Sequence, residues 1–131
     1  MFEYRVSTDP DWTAHSDRGG SAIPREDAWT PEHLVLAGLS RCTLKSLQYH
    51  AGRAGIRATA TADAYGSVTR REGDGRFAFV EISVAFDVSL EPRLEGDALR
   101  TLFASAERDC FVGASLTVTP AYTWNVDGEE L

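Results

Sequence analysis

The N-terminus alternates, with Phe2, Tyr4 and Val6 on one side of an extended chain and Glu3, Arg5 and Ser7 on the other, which predicts a half-buried strand. Asp9-Pro10-Asp11 carries turn chemistry, and Trp12 to His15 reads as a short returning strand. Ser16 to Trp29 is polar and contains Gly19-Gly20 and Pro24, so it predicts a loop or irregular hairpin. A connection that long in a compact domain is often functional. The period changes at Thr30. Thr30 suits an N-cap, Pro31 the first helical position, and Glu32 complements the positive end of a helix. The helix should run to about Arg53, with Gly52 and Gly55 marking its exit. Leu34 to Leu39 is apolar nearly all round, the pattern of a helix covered on more than one side. Beyond it, Arg41, Lys45 and Gln48 form a polar stripe, while Cys42 shares an inward stripe with Val35, Leu39 and Tyr49.

Alternation returns from Ile56 to Val68 and again from Val80 to Val88, on either side of a charged turn at Arg70 to Gly75, which predicts a long β-hairpin. A second helix is expected from about Gly96 or Asp97 to Cys110, with Leu99, Phe103, Ala106 and Cys110 on one stripe. Phe111 to Ser115 could add a helical turn, Leu116 to Trp124 reads as a last strand, and Asp127 to Leu131 as a frayed acidic tail. Strands, helix, strand pair, helix, strand is the order of an α+β fold, a largely antiparallel sheet packed on two main helices. Both cysteines fall on those helices. The all-round apolar start of the first helix needs more cover than one sheet supplies, which predicts a homodimer.

Composition narrows the classes. The 131 residues fit a single domain over residues 1–131, long enough to bury a core without a disulfide or metal. The longest apolar stretch, Leu34 to Leu39, is too short to cross a membrane. Met1 to Arg5 lacks the basic start and apolar run of a signal peptide, so a soluble, cytoplasmic protein is expected, with no membrane partner. With 13 basic against 20 acidic residues the net charge is −7, and Lys45 is the sole lysine, which argues against a nucleic-acid partner. Cys42 and Cys110 are too far apart for a zinc knuckle and too few for a secreted scaffold, and His15, His33 and His50 are too scattered for a metal triad. No metal or cofactor is implied. In a reducing compartment such cysteines are buried small hydrophobes or a redox pair.

Two segments carry a resemblance. Thr30-Pro31-Glu32-His33-Leu34-Val35-Leu36-Ala37-Gly38-Leu39-Ser40-Arg41-Cys42-Thr43 resembles the motif opening the central helix of OsmC/Ohr-like proteins, where a Pro-Glu step precedes an apolar run and a reactive cysteine. Ala106-Glu107-Arg108-Asp109-Cys110-Phe111-Val112 resembles that family's second-cysteine segment, with Cys110-Phe111 where Cys-Pro is frequent. The resemblance implies an intertwined homodimer of OsmC-like fold and a thiol peroxidase acting on organic hydroperoxides, with a lipoylated protein or small thiol as reductant. It assigns Cys42 as the attacking cysteine, Cys110 as the resolving one and Glu32 as the carboxylate near the attacking thiol. The family's arginine, from the segment before the helix, falls on Arg18 or, second, on Arg25.

The residues fit that chemistry. Peroxide reduction needs a thiolate, and a free cysteine is only a few per cent ionised at neutral pH. Burial lowers that fraction and a guanidinium raises it. Glu32 would hold the arginine rather than act on sulfur. The alternative is an OsmC-fold ligand-binding or redox-sensing protein without efficient peroxidase activity, and beyond it a structural dimer whose cysteines are core residues.

Overall fold

A computed structural model describes residues 1–131, and its contacts divide the chain into two units, Met1–Leu34 and Val35–Leu131. In the first, β1 (Val6–Thr8) pairs antiparallel with β2 (Ala14–Ser16), Val6 opposite Ser16. The turn between them is held by Asp9, whose carbonyl accepts the Trp12 N–H at 2.8 Å and whose N–H donates to the Thr13 carbonyl at 3.0 Å. Asp11 accepts the Thr13 N–H through Oδ1 at 3.1 Å, which lowers its carboxyl below the ordinary range. Trp12 sits at φ 72°, so the returning strand starts at Ala14 and not at Trp12. The strand expected from Phe2 is shorter too. Phe2, Tyr4 and Val6 are 72%, 64% and 66% exposed, because a two-stranded hairpin has no second layer of its own to cover its apolar side.

α1 (Pro31–Arg53) begins as its sequence dictates. Thr30 Oγ1 accepts the His33 N–H at 3.2 Å, the N-cap bond, and its hydroxyl lies 2.7 Å from His33 Nδ1. The exit is a Schellman turn. Gly55 at φ 74° donates to the Gly52 carbonyl at 3.1 Å, and Ile56 donates to the Ala51 carbonyl at 2.8 Å.

In the second unit β3 (Arg57–Arg70) and β4 (Phe77–Glu91) form the expected hairpin, in register from Arg57–Glu91 to Arg70–Phe77 with a shift at Ser67/Val68. Gly66 stands beside that shift, and a Cβ there would lie 2.7 Å from the Phe79 ring, so the close approach requires glycine. After β4 come α2 (Gly96–Arg108), α3 (Phe111–Ser115) and β5 (Ala121–Val126), which returns parallel to β4. β6 (Glu129–Glu130) then pairs with β5, so the tail expected to fray is a paired edge instead. The sheet order is β3-β4-β5-β6.

One face of this sheet buries Ile82, Val84, Phe86, Val88 and Leu90 against Leu39, Leu47 and Ala51 of α1 and Leu99, Leu102, Phe103 and Ala106 of α2. The α+β class is as expected. Two details differ. α2 stops at Arg108, so Cys110 is not its last residue but the N-cap of α3. Leu116 to Pro120 is not strand, because Pro120 has no N–H for the ladder and β5 starts after it.

Candidate functional site

The site is built where the middle of α1 meets the α2–α3 junction. Helical spacing puts Leu39, Thr43 and Leu47 on the buried stripe of α1 and leaves Arg41, Lys45 and Gln48 exposed, as expected. Cys42 is half-buried at the edge of the core. Its expected neighbours Val35 and Tyr49 are 36% and 58% exposed, so the inward stripe is less enclosed than the pattern implied. Asp109, at φ −95° and ψ 16°, turns the chain out of α2. Cys110 follows, fully buried.

That turn brings the two cysteines to 3.4 Å from one another, both reduced. A disulfide is about 2.0 Å long, so only a small closing motion separates the pair from a bond. The first turn of α3 supplies donors to both sulfurs. The Val112 N–H donates to Cys42 Sγ at 3.5 Å and the Gly113 N–H to Cys110 Sγ at 3.3 Å. Burial pushes the Cys42 thiol above its ordinary value; the Val112 N–H opposes this, Cys110 adds to it, and the Phe111 N–H opposes it again.

Three residues that the sequence reading did not single out complete the surroundings. Thr43 Oγ1 lies 3.3 Å from Cys110 Sγ and 3.0 Å from the Leu39 carbonyl. The Tyr122 phenol, from β5, interacts with both Thr43 and Cys110. Burial raises it above its ordinary value, so it stays protonated at neutral pH. Gly113 makes room for it, since a Cβ there would lie 2.9 Å from the Tyr122 oxygen. The signal for Thr43 was its hydroxyl inside an otherwise apolar stripe. Tyr122 gave none, because a parallel pairing with β4 places it.

His50, too far from the other histidines in sequence for a metal triad, bonds Asp109 at 2.7 Å through Nε2 and so fixes the residue before Cys110 to α1. Asp109 also accepts from Arg108 at 3.0 and 3.1 Å. Arg108 first and His50 second hold its carboxyl down at about 2.

The remaining expected residues lie in the first unit. Glu32 is exposed in the first turn of α1 and pairs with neither loop arginine. Arg18 stands over the Tyr4 ring at 5.1 Å, and Arg25 over the Trp12 ring at 3.7 Å with its Nε 3.9 Å from Asp27. No group of histidine, cysteine, aspartate and glutamate has the geometry to hold a metal ion, and no helix is long and apolar enough to cross a membrane.

A profile of the family described as OsmC-like protein matches residues 24–125. The chain belongs to the OsmC-like family. Solved structures of that family share its fold. An OsmC-like protein of unknown function from Vibrio cholerae superposes with a TM-score of 0.76 at 14% identity, over 95% of this chain and 99% of its own. An OsmC-like protein from Mycoplasma pneumoniae gives 0.73 at 18%, over 96% of each chain. The organic hydroperoxide resistance protein OhrB of Bacillus subtilis gives 0.62 at 20%, over 96% of this chain and 98% of its own. No curated protein is similar in sequence. At these identities the OsmC-like fold is shared and the chemistry has to be argued from the site.

Proposed function

We propose that this OsmC-like protein is a thiol-dependent peroxidase that reduces organic hydroperoxides. The observation that carries the reading is the reduced Cys42–Cys110 pair, drawn from distant segments into contact, with only Cys42 open to a reagent. The Cys42 thiolate attacks the outer peroxide oxygen; the O–O bond breaks and the alcohol leaves, taking a proton. Cys42 is then a sulfenic acid. Cys110 attacks its sulfur, the S–S bond forms, and the hydroxyl leaves as water with the Cys110 proton. Two electrons pass from two thiols to one peroxide. A lipoylated protein, or a small thiol in its place, returns two electrons to the disulfide. The cytoplasm is the proposed location, a reducing compartment in which the disulfide can be returned to two thiols.

Burial alone keeps Cys42 a thiol, so a cation has to be brought to it. Arg41 is one residue away, yet adjacent helical side chains point about 100° apart, and both Arg41 and Lys45 are exposed. Arg18 is the proposed cation, Arg25 the second choice, and Glu32 its proposed support. A cation–π contact at an exposed ring is worth only about 0.5–1 kcal/mol, so leaving Tyr4 costs Arg18 little. The alternative, a ligand-binding or redox-sensing protein, is favoured by the same raised thiol.

One experiment separates them: Cys42 oxidation by cumene hydroperoxide and by hydrogen peroxide, with dihydrolipoamide for turnover. The organic peroxide should react at least about 10-fold faster, since each buried CH2 contributes about 0.8 kcal/mol. Arg18→Ala should slow the attack at least about 10-fold, or 1.4 kcal/mol of barrier. A defect in Arg25→Ala alone moves the role there. Oxidation over hours in the wild type leaves the alternative.

The chain is also proposed to be a homodimer. Its first 34 residues expose Trp12, Ile23 and Trp29 besides Phe2, Tyr4 and Val6, and the start of α1 exposes Leu34 and Val35 at 43% and 36%. Light scattering should give about twice the 14.3 kDa chain mass, and 14.3 kDa at micromolar concentration refutes it.

A further inference from the structure

The Thr43 hydroxyl has one proton and two acceptors within reach. Its oxygen is 3.0 Å from the Leu39 carbonyl and 3.3 Å from Cys110 Sγ, so it donates to one of them at a time. Pointed at Leu39, the hydroxyl offers its lone pairs to a Cys110 S–H. Pointed at Cys110, it donates to sulfur. The turn costs little, because the Leu39 carbonyl lies inside α1 and keeps its backbone partner. Thr43 and Cys110 are both fully buried, so no water takes over either role.

We propose that Thr43 is a catalytic residue of the resolving step, its hydroxyl accepting from Cys110 as the thiol and donating to it as the attacking thiolate. The proposal rests on Cys110 as the resolving cysteine. The Gly113 N–H and the Tyr122 phenol touch the same sulfur from other sides, so the attacking anion meets fixed donors rather than solvent. In the step itself Cys110 bonds to Cys42 sulfur while the group on Cys42 leaves with the bonding pair; the Cys110 proton departs with a leaving hydroxyl as water, or passes to the medium when the leaving group is a stable thiolate. Thr43 keeps its proton throughout and only redirects it. Cys42 gains nothing from this hydroxyl. The Val112 N–H donates to Cys42 Sγ instead, at 3.5 Å.

The test uses a leaving group that needs no peroxide. Dithiobis(nitrobenzoate) converts the half-buried Cys42 to a mixed disulfide and releases one thionitrobenzoate; attack by Cys110 releases the second and closes the protein disulfide. Thr43→Val keeps the shape and removes the hydroxyl, and Thr43→Ser keeps the hydroxyl. In Thr43→Val the first release should stay within about 3-fold of wild type and the second slow by about 10-fold or more, the scale of one lost hydrogen bond to a charged group. Thr43→Ser should restore the second release. With cumene hydroperoxide, Thr43→Val should form sulfenic acid normally and pass on to sulfinic acid more often. Wild-type closure in Thr43→Val overturns the proposal, and so does equal slowing of both releases. A wild type whose second release depends on Thr43 but which ignores hydroperoxide upholds Thr43 and overturns the peroxidase reading alone.

Discussion

Cys42→Ser is expected to abolish hydroperoxide consumption, whereas Cys110→Ser should complete one oxidation per chain and stop at a sulfenic acid. The asymmetry follows from access. Cys42 is half-buried at the edge of the core and Cys110 is fully buried beneath it, so a peroxide meets Cys42 first. A serine hydroxyl at Cys42 is no substitute, because its oxygen is not ionised near neutral pH and cannot carry the peroxide oxygen through a sulfenic acid. With Cys110 removed, nothing in the protein closes on the oxidised sulfur, and excess peroxide drives it to the sulfinic acid. The readout is peroxide loss over time with trapping of the sulfenic acid by a dione. If Cys110→Ser, and not Cys42→Ser, removed the first fast oxidation, the two roles would be reversed.

Phe86→Ala should be the most damaging core substitution, costing about 3–5 kcal/mol of stability. Phe86 is fully buried on β4 and stacks on Trp124 of β5 at 4.4 Å and 16°. Trp124 in turn stacks on Phe103 of α2 at 4.3 Å, and Phe86 faces Tyr122 at 6.3 Å. Four rings therefore tie both strands to α2, and the Trp124 indole N–H is anchored on Glu107 at 2.8 Å. Removing the Phe86 ring leaves a cavity that the sheet cannot close, since its neighbours are fixed by the β4–β5 ladder. Thermal melts of the reduced protein should fall by on the order of 10 °C or more. Tyr65→Ala, at a side chain 56% exposed, is the control and should change little. A loss below about 1 kcal/mol for Phe86→Ala would contradict this packing. Because Tyr122 reaches the Cys110 sulfur, the same variant should also slow disulfide closure.

Local chemistry was legible where one segment decides its own structure. Thr30-Pro31-Glu32 announced the start of α1, Gly52 and Gly55 its exit, and strict alternation the β3–β4 hairpin. What failed depended on remote partners. The helix stripe through Leu99, Phe103 and Ala106 extends naturally to Cys110, but Asp109 is drawn to His50 and Arg108, and the chain leaves α2 early. The acidic tail gave no strand pattern, yet Glu129–Glu130 pairs with Asn125 and Val126 once β5 is in place. At the site, both cysteines were legible from the motifs around them. Their contact with Thr43 and Tyr122 was not, because β5 runs parallel to β4 only after α2 and α3 have carried the chain across.

The central claim is that one organic hydroperoxide molecule oxidises Cys42 and Cys110 together. The most direct measurement is the intact mass of the reduced protein seconds after one equivalent of cumene hydroperoxide, followed by peptide mapping without reduction. The expected result is a chain lighter by two hydrogens, with Cys42 and Cys110 peptides joined. An unchanged mass, or one added oxygen on Cys42 that persists with Cys110 still a thiol, would contradict it.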